Sequence, residues 1–463
     1  MKMDVTVNGA LCCGQLAMSL IQTFFMFYYV KIFLNIYKID QFWFGMAQML
    51  FAIWNAINDP LFGYVQDVST TWFHCRTKVI SMLGPCLAVS FLILWFPWSS
   101  MDGSSSSYIV GCHLLFGLFF YDAFYSCVSV AWSALFAETT CNKSERISAL
   151  KFSQFAILLS VNIVPITEKL TSGLNDFRIF QYISIVIAVL AVLCFKVTGS
   201  LRYQNKLVYE DLSSSPTLLQ DKEKFLSAFK ITKQILTRCD FRTITTTYFL
   251  HTCRSTAHLN FATIATEMLI PEQLMVKGSW KMSLFYAACT LTPQLFVILS
   301  GKMIIKVGVP SVIMKSFIAS MIASGFLLIF GYNRPYLIIL FMFFDSILVH
   351  SIAPLYQVLL ADYVNEDMTS FSRQKPISTI IYSLAAVLVR PAQSIAPFVI
   401  VMILTHYGYK EYQTSNLASV QLTDGMFYVI CSTTLVISAA QLLFFYTFAL
   451  KCSVKNSKGD IFI

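Results

Sequence analysis

Runs of roughly 20 or more mostly apolar residues recur from one end of this chain to the other, and no other feature constrains its fold as much. A helix of that length satisfies its own backbone N–H and C=O groups, which is the condition for crossing hydrocarbon. Twelve such runs lie near residues 9–34, 41–66, 79–98, 108–137, 149–170, 178–198, 241–268, 280–301, 311–331, 335–361, 376–405 and 423–450. The longest polar interruption, 199–240, holds Glu210, Asp211, Asp221, Lys222, Glu223 and Lys224 beside Ser213-Ser214-Ser215-Pro216. The reading is an all-α membrane protein with twelve transmembrane helices in a 6+6 arrangement: an N-terminal half 1–198, a linker 199–240 and a C-terminal half 241–463.

Composition removes the rival classes. The 463 residues are 57% hydrophobic and 12% charged, where a soluble chain carries about 25% charged residues. The net charge of +9 is spread over short segments between apolar runs, so no nucleic-acid partner is expected. Lys and Arg sort by side instead: with both termini cytoplasmic, Arg76, Lys78, Lys143, Arg146, Arg373 and Lys375 fall inside, and far fewer fall outside. Asn142-Lys143-Ser144 is then cytoplasmic and not glycosylated. The run that begins near Gly9 is too long for a signal peptide. Thirteen Cys without a C-x-x-C pair read as small buried hydrophobes. No metal, no cofactor and no enzyme activity are expected, since no cluster of nucleophile, base and orienting group stands outside the membrane.

Polar residues inside apolar runs carry the functional signal. Asn55 and Asp59 in the second run share one helix face, with Asn58 between them and Pro60 after them. An Asp at a helix centre costs about 2.5–3.5 kcal/mol on insertion scales, so it faces a cavity, an ion path or a partner. Arg390, the one charge in its run, is the natural counter-ion, and a purely structural pair is the competing reading. Lys151 opens the fifth run. Arg254 stands between His251 and His258 on one face of the seventh, which reads as a polar cavity wall. Asp122 and Asp345 occupy similar places in the two halves and serve equally as cavity residues or inter-helix contacts. Gly63 and Asp67, followed by Arg76, form a gate signal: the glycine lets helices approach, and the carboxylate accepts from Arg76 or a neighbouring helix start.

The halves also repeat. Leu135-Phe136-Ala137-Glu138 precedes Ser144-Glu145-Arg146-Ile147-Ser148, and Leu359-Leu360-Ala361-Asp362 precedes Ser372-Arg373-Gln374-Lys375-Pro376-Ile377-Ser378. Duplicated halves with a solute path between them are typical of secondary transporters.

The stretch Trp54-Asn55-Ala56-Ile57-Asn58-Asp59-Pro60, with Gly63, Trp132-Ser133, Glu145-Arg146, Leu360-Ala361-Asp362 and Arg390, resembles the major facilitator superfamily. The branch is that of the glycoside-pentoside-hexuronide:cation symporters, the melibiose-carrier-like proteins. Among animal proteins the chain is similar to the transmembrane protein 180 group. The resemblance implies a cation site at Asn55, Asp59 and Arg390, where the branch has two acids and a Lys. It also implies a sugar site at Ser19, Val128 and Lys151 near Trp132, where the branch has two acids and an Arg. Both sugar-binding acids are missing, and one cation-site acid is an amide. The implied function is movement of a small solute in a lipid membrane by alternating access, with H+ through Asp59 favoured over Na+ if transport is coupled. Two alternatives stay open: a non-transporting adaptor or receptor on a transporter fold, and a transporter of a lysolipid-like amphiphile.

Overall fold

The computed structural model describes residues 6–68, 71–98, 107–140, 142–171, 174, 176–201, 230–275, 280–373, 375–409 and 419–459. Of the linker 199–240, residues 202–229 lie outside the described residues. Among those described, the chain is built from helices: α1 (Val7–Lys31), α2 (Gln41–Val68), α3 (Arg76–Ile93), α4 (Ser107–Thr139), α5 (Lys143–Val161), α6 (Ile163–Leu170), α7 (Phe177–Gly199), α8 (Cys239–Leu269), α9 (Trp280–Leu299), α10 (Gly301–Val307), α11 (Val309–Phe330), α12 (Pro335–His350), α13 (Ala353–Ser370), α14 (Ser378–Val389), α15 (Ala392–His406) and α16 (Val420–Gly459).

Local chemistry sets several of these boundaries. Thr6 Oγ1 accepts from the Gly9 N–H at 3.3 Å, and Asp176 Oδ1 accepts from the Ile179 N–H at 3.3 Å, satisfying donors that the first turns of α1 and α7 leave unpaired. At the start of α5, Glu145 reaches back to the Asn142 N–H at 3.3 Å. Gly308, with φ at 87°, ends α10 and starts α11 in a conformation that side chains disfavour. The apolar run 376–405 is not one continuous helix: it stops after Val389 and restarts at Ala392. Pro391 has no N–H to give the helix, and a residue before proline is pushed out of the helical region.

Nine segments among the described residues are long and apolar enough to cross a membrane. The segments left out are α2, α8 and the broken pair α14 and α15. The first carries Asn55, Asn58 and Asp59, the second His251, Arg254 and His258, and Arg390 stands at the break in the third. Large side chains such as Leu299, Ile329 and Leu443 stay exposed on their helices, as lipid-facing positions do.

The chain divides into two compact units: residues 1–234 with 361–387, and residues 235–360 with 388–463. In the first unit α1 packs on α5 and α7, α3 on α4 and α7, and α2 on α4. Its core is aromatic, with Phe24 at 4.8–5.8 Å, ring centre to ring centre, from Tyr28, Phe91, Trp95 and Phe180. In the second unit α16 packs on α8 and α11, and α12 on α9 and α11. The Ser324 hydroxyl donates to the Cys431 carbonyl at 2.6 Å, and Tyr356 to the Thr247 carbonyl at 3.1 Å.

Candidate functional site

Arg76, at the first turn of α3, is buried and joins two carboxylates in the first unit. Its guanidinium meets Asp67, near the end of α2, at 2.5 Å and Glu138, near the end of α4, at 3.2 Å, and donates to the Gln66 carbonyl at 2.9 Å. One guanidinium against two carboxylates leaves a negative surplus, and α14 offsets it. Ser378 donates to Glu138, and the Ile380 N–H at the open end of that helix donates to Asp67 Oδ2 at 2.8 Å. Helix starts carry partial positive charge, so a carboxylate there is stabilised.

Gly63 makes this approach possible. A Cβ on it would meet Ser383 and stand 2.9 Å from the Thr379 carbonyl, while Thr379 Oγ1 donates to the Gly63 carbonyl at 3.0 Å. Arg146 adds a second tie: it binds Asp362 and gives its Nε–H to the Thr140 carbonyl at 3.0 Å. Gly63, Asp67 and Arg76, the gate signal of the sequence, thus meet in one network. Sequence reasoning singled out these three but left Glu138, Arg146, Asp362 and Ser378 as parts of a repeat. The repeat itself was the signal that could have joined them.

Asn58 and Asp59 are buried. The Asn58 amide donates to the Asp122 carboxylate, so a residue of the cation-site motif and a cavity candidate form one contact. Asp59 belongs to the first unit, and the half-buried Arg390, at the break before α15, to the second. Asn55 is half-buried on α2. Ser19 accepts from Gln15 at 2.9 Å. The Trp132 indole N–H is committed to the Leu11 carbonyl at 3.1 Å, with the ring against Gly14. Lys151 is half-buried on α5.

The second unit holds a separate polar cluster. Arg254 is buried, binds Asp345 and gives another N–H to Ser438 at 3.1 Å. His258, one turn along α8, reaches the other Asp345 oxygen through Nδ1 at 3.1 Å. The His350 ring, which sequence reasoning passed over, lies 5.3 Å from that of His258. Arg254, His258 and Asp345 form the polar end of a cavity whose other walls include Phe261, Phe341 and Ile400. Among the described residues, no group of three or more His, Cys, Asp or Glu is arranged to hold a metal ion.

The family model for MFS/sugar transport proteins matches residues 10–450. The chain belongs to this family. Among curated relatives of this MFS chain, transmembrane protein 180 of Gallus gallus is 25% identical over 94% of this chain and 91% of its own. Transmembrane protein 180 of Mus musculus is 23% identical over 89% and 82%. Solved MFS-type structures align over nearly the full length. A bacterial homologue of the iron transporter ferroportin, in its outward-facing state with soaked iron, gives a TM-score of 0.62 at 12% identity, covering 96% of this chain and 100% of that one. The proton:xylose symporter XylE gives 0.59 at 12%, covering 96% and 95%. At such identity the likeness is one of fold. The protein is therefore a multi-pass, all-helical membrane protein of the MFS class, similar to transporters.

Proposed function

We infer that this MFS protein is a secondary transporter that moves a small solute by alternating access. Its twelve spans divide as two six-helix halves, 1–198 and 241–463, with the linker and both termini cytoplasmic. The network of Asp67, Arg76, Glu138, Ser378 and Ile380 carries the reading. Burying three charges costs desolvation energy that apolar packing of the same volume does not. Charged hydrogen bonds, however, break and re-form as a set, which suits an element with two discrete arrangements. The Lys and Arg bias puts this network on the cytoplasmic side, as a gate latch.

Sugar selection by the branch's route is not part of this reading. Ser19 and Val128 stand where the branch has carboxylates, Val128 is fully buried, and Ser19 accepts a hydrogen bond from Gln15. For coupling, the amide at Asn55 lowers the negative charge beside Asp59, which favours a proton over Na+.

An untargeted metabolite comparison of proteoliposomes bearing wild type or Asp59→Asn, with imposed H+ and Na+ gradients, tests the function. Enrichment of a solute by wild type supports transport, and its dependence on Asp59 under the H+ gradient supports coupling there. No enrichment by folded wild type under either gradient favours a non-transporting adaptor.

A further inference from the structure

The polar end of the cavity in the second unit is rich in hydrogen-bond donors. Arg254 and His258 meet one carboxylate, Asp345, with the His350 ring beside that of His258 and His251 one turn before Arg254. Asp345 is fully used: one oxygen accepts from Arg254 and the other from His258 Nδ1. An ionised carboxylate only accepts, so Nδ1 carries a hydrogen and the second ring nitrogen, Nε2, remains for the cavity that His258 lines. Donors are in surplus here. Arg254 Nε–H has no hydrogen-bond partner, and Thr433 and Thr434 line the same cavity.

The charge count then decides what fits. Arg254 and Asp345 cancel, so an anion entering an otherwise apolar cavity needs one more positive charge to offset its desolvation. Of the three charged or titratable groups that line the cavity, His258 has the most exposure, 13% against 2% for Arg254 and 5% for Asp345. From α12 it is faced by Asp345 and His350, and from its own helix by Arg254. The cavity wall given by α15 and α16 includes Ile400, Val429, Thr433 and Thr434 and no titratable group.

We propose that this cavity binds an amphipathic organic monoanion, a carboxylate with an apolar tail, together with one proton taken up on His258. The anion sits against the His258 imidazolium and the Thr hydroxyls, while Phe261, Phe341 and Ile400 hold the tail. Anion and proton favour each other reciprocally, because each supplies the charge the other lacks. As a substrate assignment this rests on the transport reading, so binding is measured apart from transport.

The test uses the full chain in nanodiscs, with octanoate, octanesulfonate and octanol as probes, by titration calorimetry in buffers of different ionisation enthalpy. Octanoate affinity should rise by up to about tenfold per unit as pH falls from about 8 to 6.5, with uptake of about one proton. Octanesulfonate, which stays ionised, should show the same slope, and octanol should bind weakly with no slope. His258→Gln keeps a donor toward Asp345 but takes no proton, and should lose slope and proton uptake alike. If it does not fold, the sulfonate slope in wild type decides alone. A slope with octanoate but none with octanesulfonate would place the proton on the ligand and overturn the proposal. So would octanol binding as tightly as octanoate, or folded wild type that binds no octanoate. Proton-linked octanoate binding without uptake into proteoliposomes would keep the site and overturn the transport reading. Uptake of other solutes without octanoate binding would do the reverse.

Discussion

The Asp67 carboxylate accepts the backbone N–H of Ile380 at 2.8 Å, although 313 positions of chain separate them. Helix α2 is thereby tied to the first turn of α14 by a side chain that also holds Arg76, which in turn holds Glu138. Removing Arg76 leaves both carboxylates buried without their charge partner.

Arg76→Ala should therefore destabilise the protein by about 3–5 kcal/mol, because two carboxylates stay buried without a guanidinium. Glu138→Gln should cost less, since Asp67 keeps its ion pair. In a double-mutant cycle the pair should fall short of the sum of the single losses. Thermal unfolding in detergent measures all four proteins.

Gly63→Ala places a methyl group against Ser383 and the Thr379 carbonyl. The expected loss is about 1–3 kcal/mol from overpacking. Adding Ser383→Gly should recover part of it, leaving the clash with the carbonyl. Recovery to wild-type stability would show that the backbone contact yields freely.

His74 lies in the turn before α3. Burial, and then the neighbouring Arg76, hold its imidazole below the usual range. The folded state thus prefers the neutral ring, so this contribution is present above about pH 6.5 and is lost as pH falls through that value toward the lower folded one. The unfolding temperature of wild type should drop more steeply below about pH 6.5 than that of His74→Gln.

Asn55→Asp restores a pair of acids one helical turn apart on α2. It should create or strengthen stabilisation by Na+ relative to choline, following RT ln(1 + [Na+]/Kd). Wild type that already shows saturable Na+ stabilisation, unimproved by the change, would contradict the reading of Asn55 as a lost cation ligand.

For orientation, an epitope at Ser104 should be reached from outside or from the lumen, and one at Ser214 from the cytosol. Both positions lie outside the described residues. Both tags on one side would rule out the twelve-span topology.

The helical membrane fold was legible because the length of an apolar run is a local property, visible wherever about 20 such residues stand together. The break at Arg390 and Pro391 is harder to read, because the apolar run 376–405 is long enough by itself to be taken as one span. Partners were harder to find. Arg146 and Asp362 meet across 216 positions, and the repeat matches Asp362 with Glu138 and Arg146 with Arg373 without indicating that Arg146 and Asp362 touch. His350 stood at the end of an apolar helix with no periodic signal, and only the packing of α12 against α8 gave it a role. Asn58 and Asp122 were each singled out, for different sites, because nothing local pairs α2 with α4.

The indole of Trp132 lies 2.7 Å from where a Cβ on Gly14 would stand. Volume at these two positions is a single shared quantity, spent almost wholly on the ring. A lineage that acquires Ala or Ser at position 14 must therefore shrink position 132 in the same step or soon after, and give up the hydrogen bond to Leu11 with it. Across descendants of this chain the two sites should change hands as a pair, with small facing large in either order.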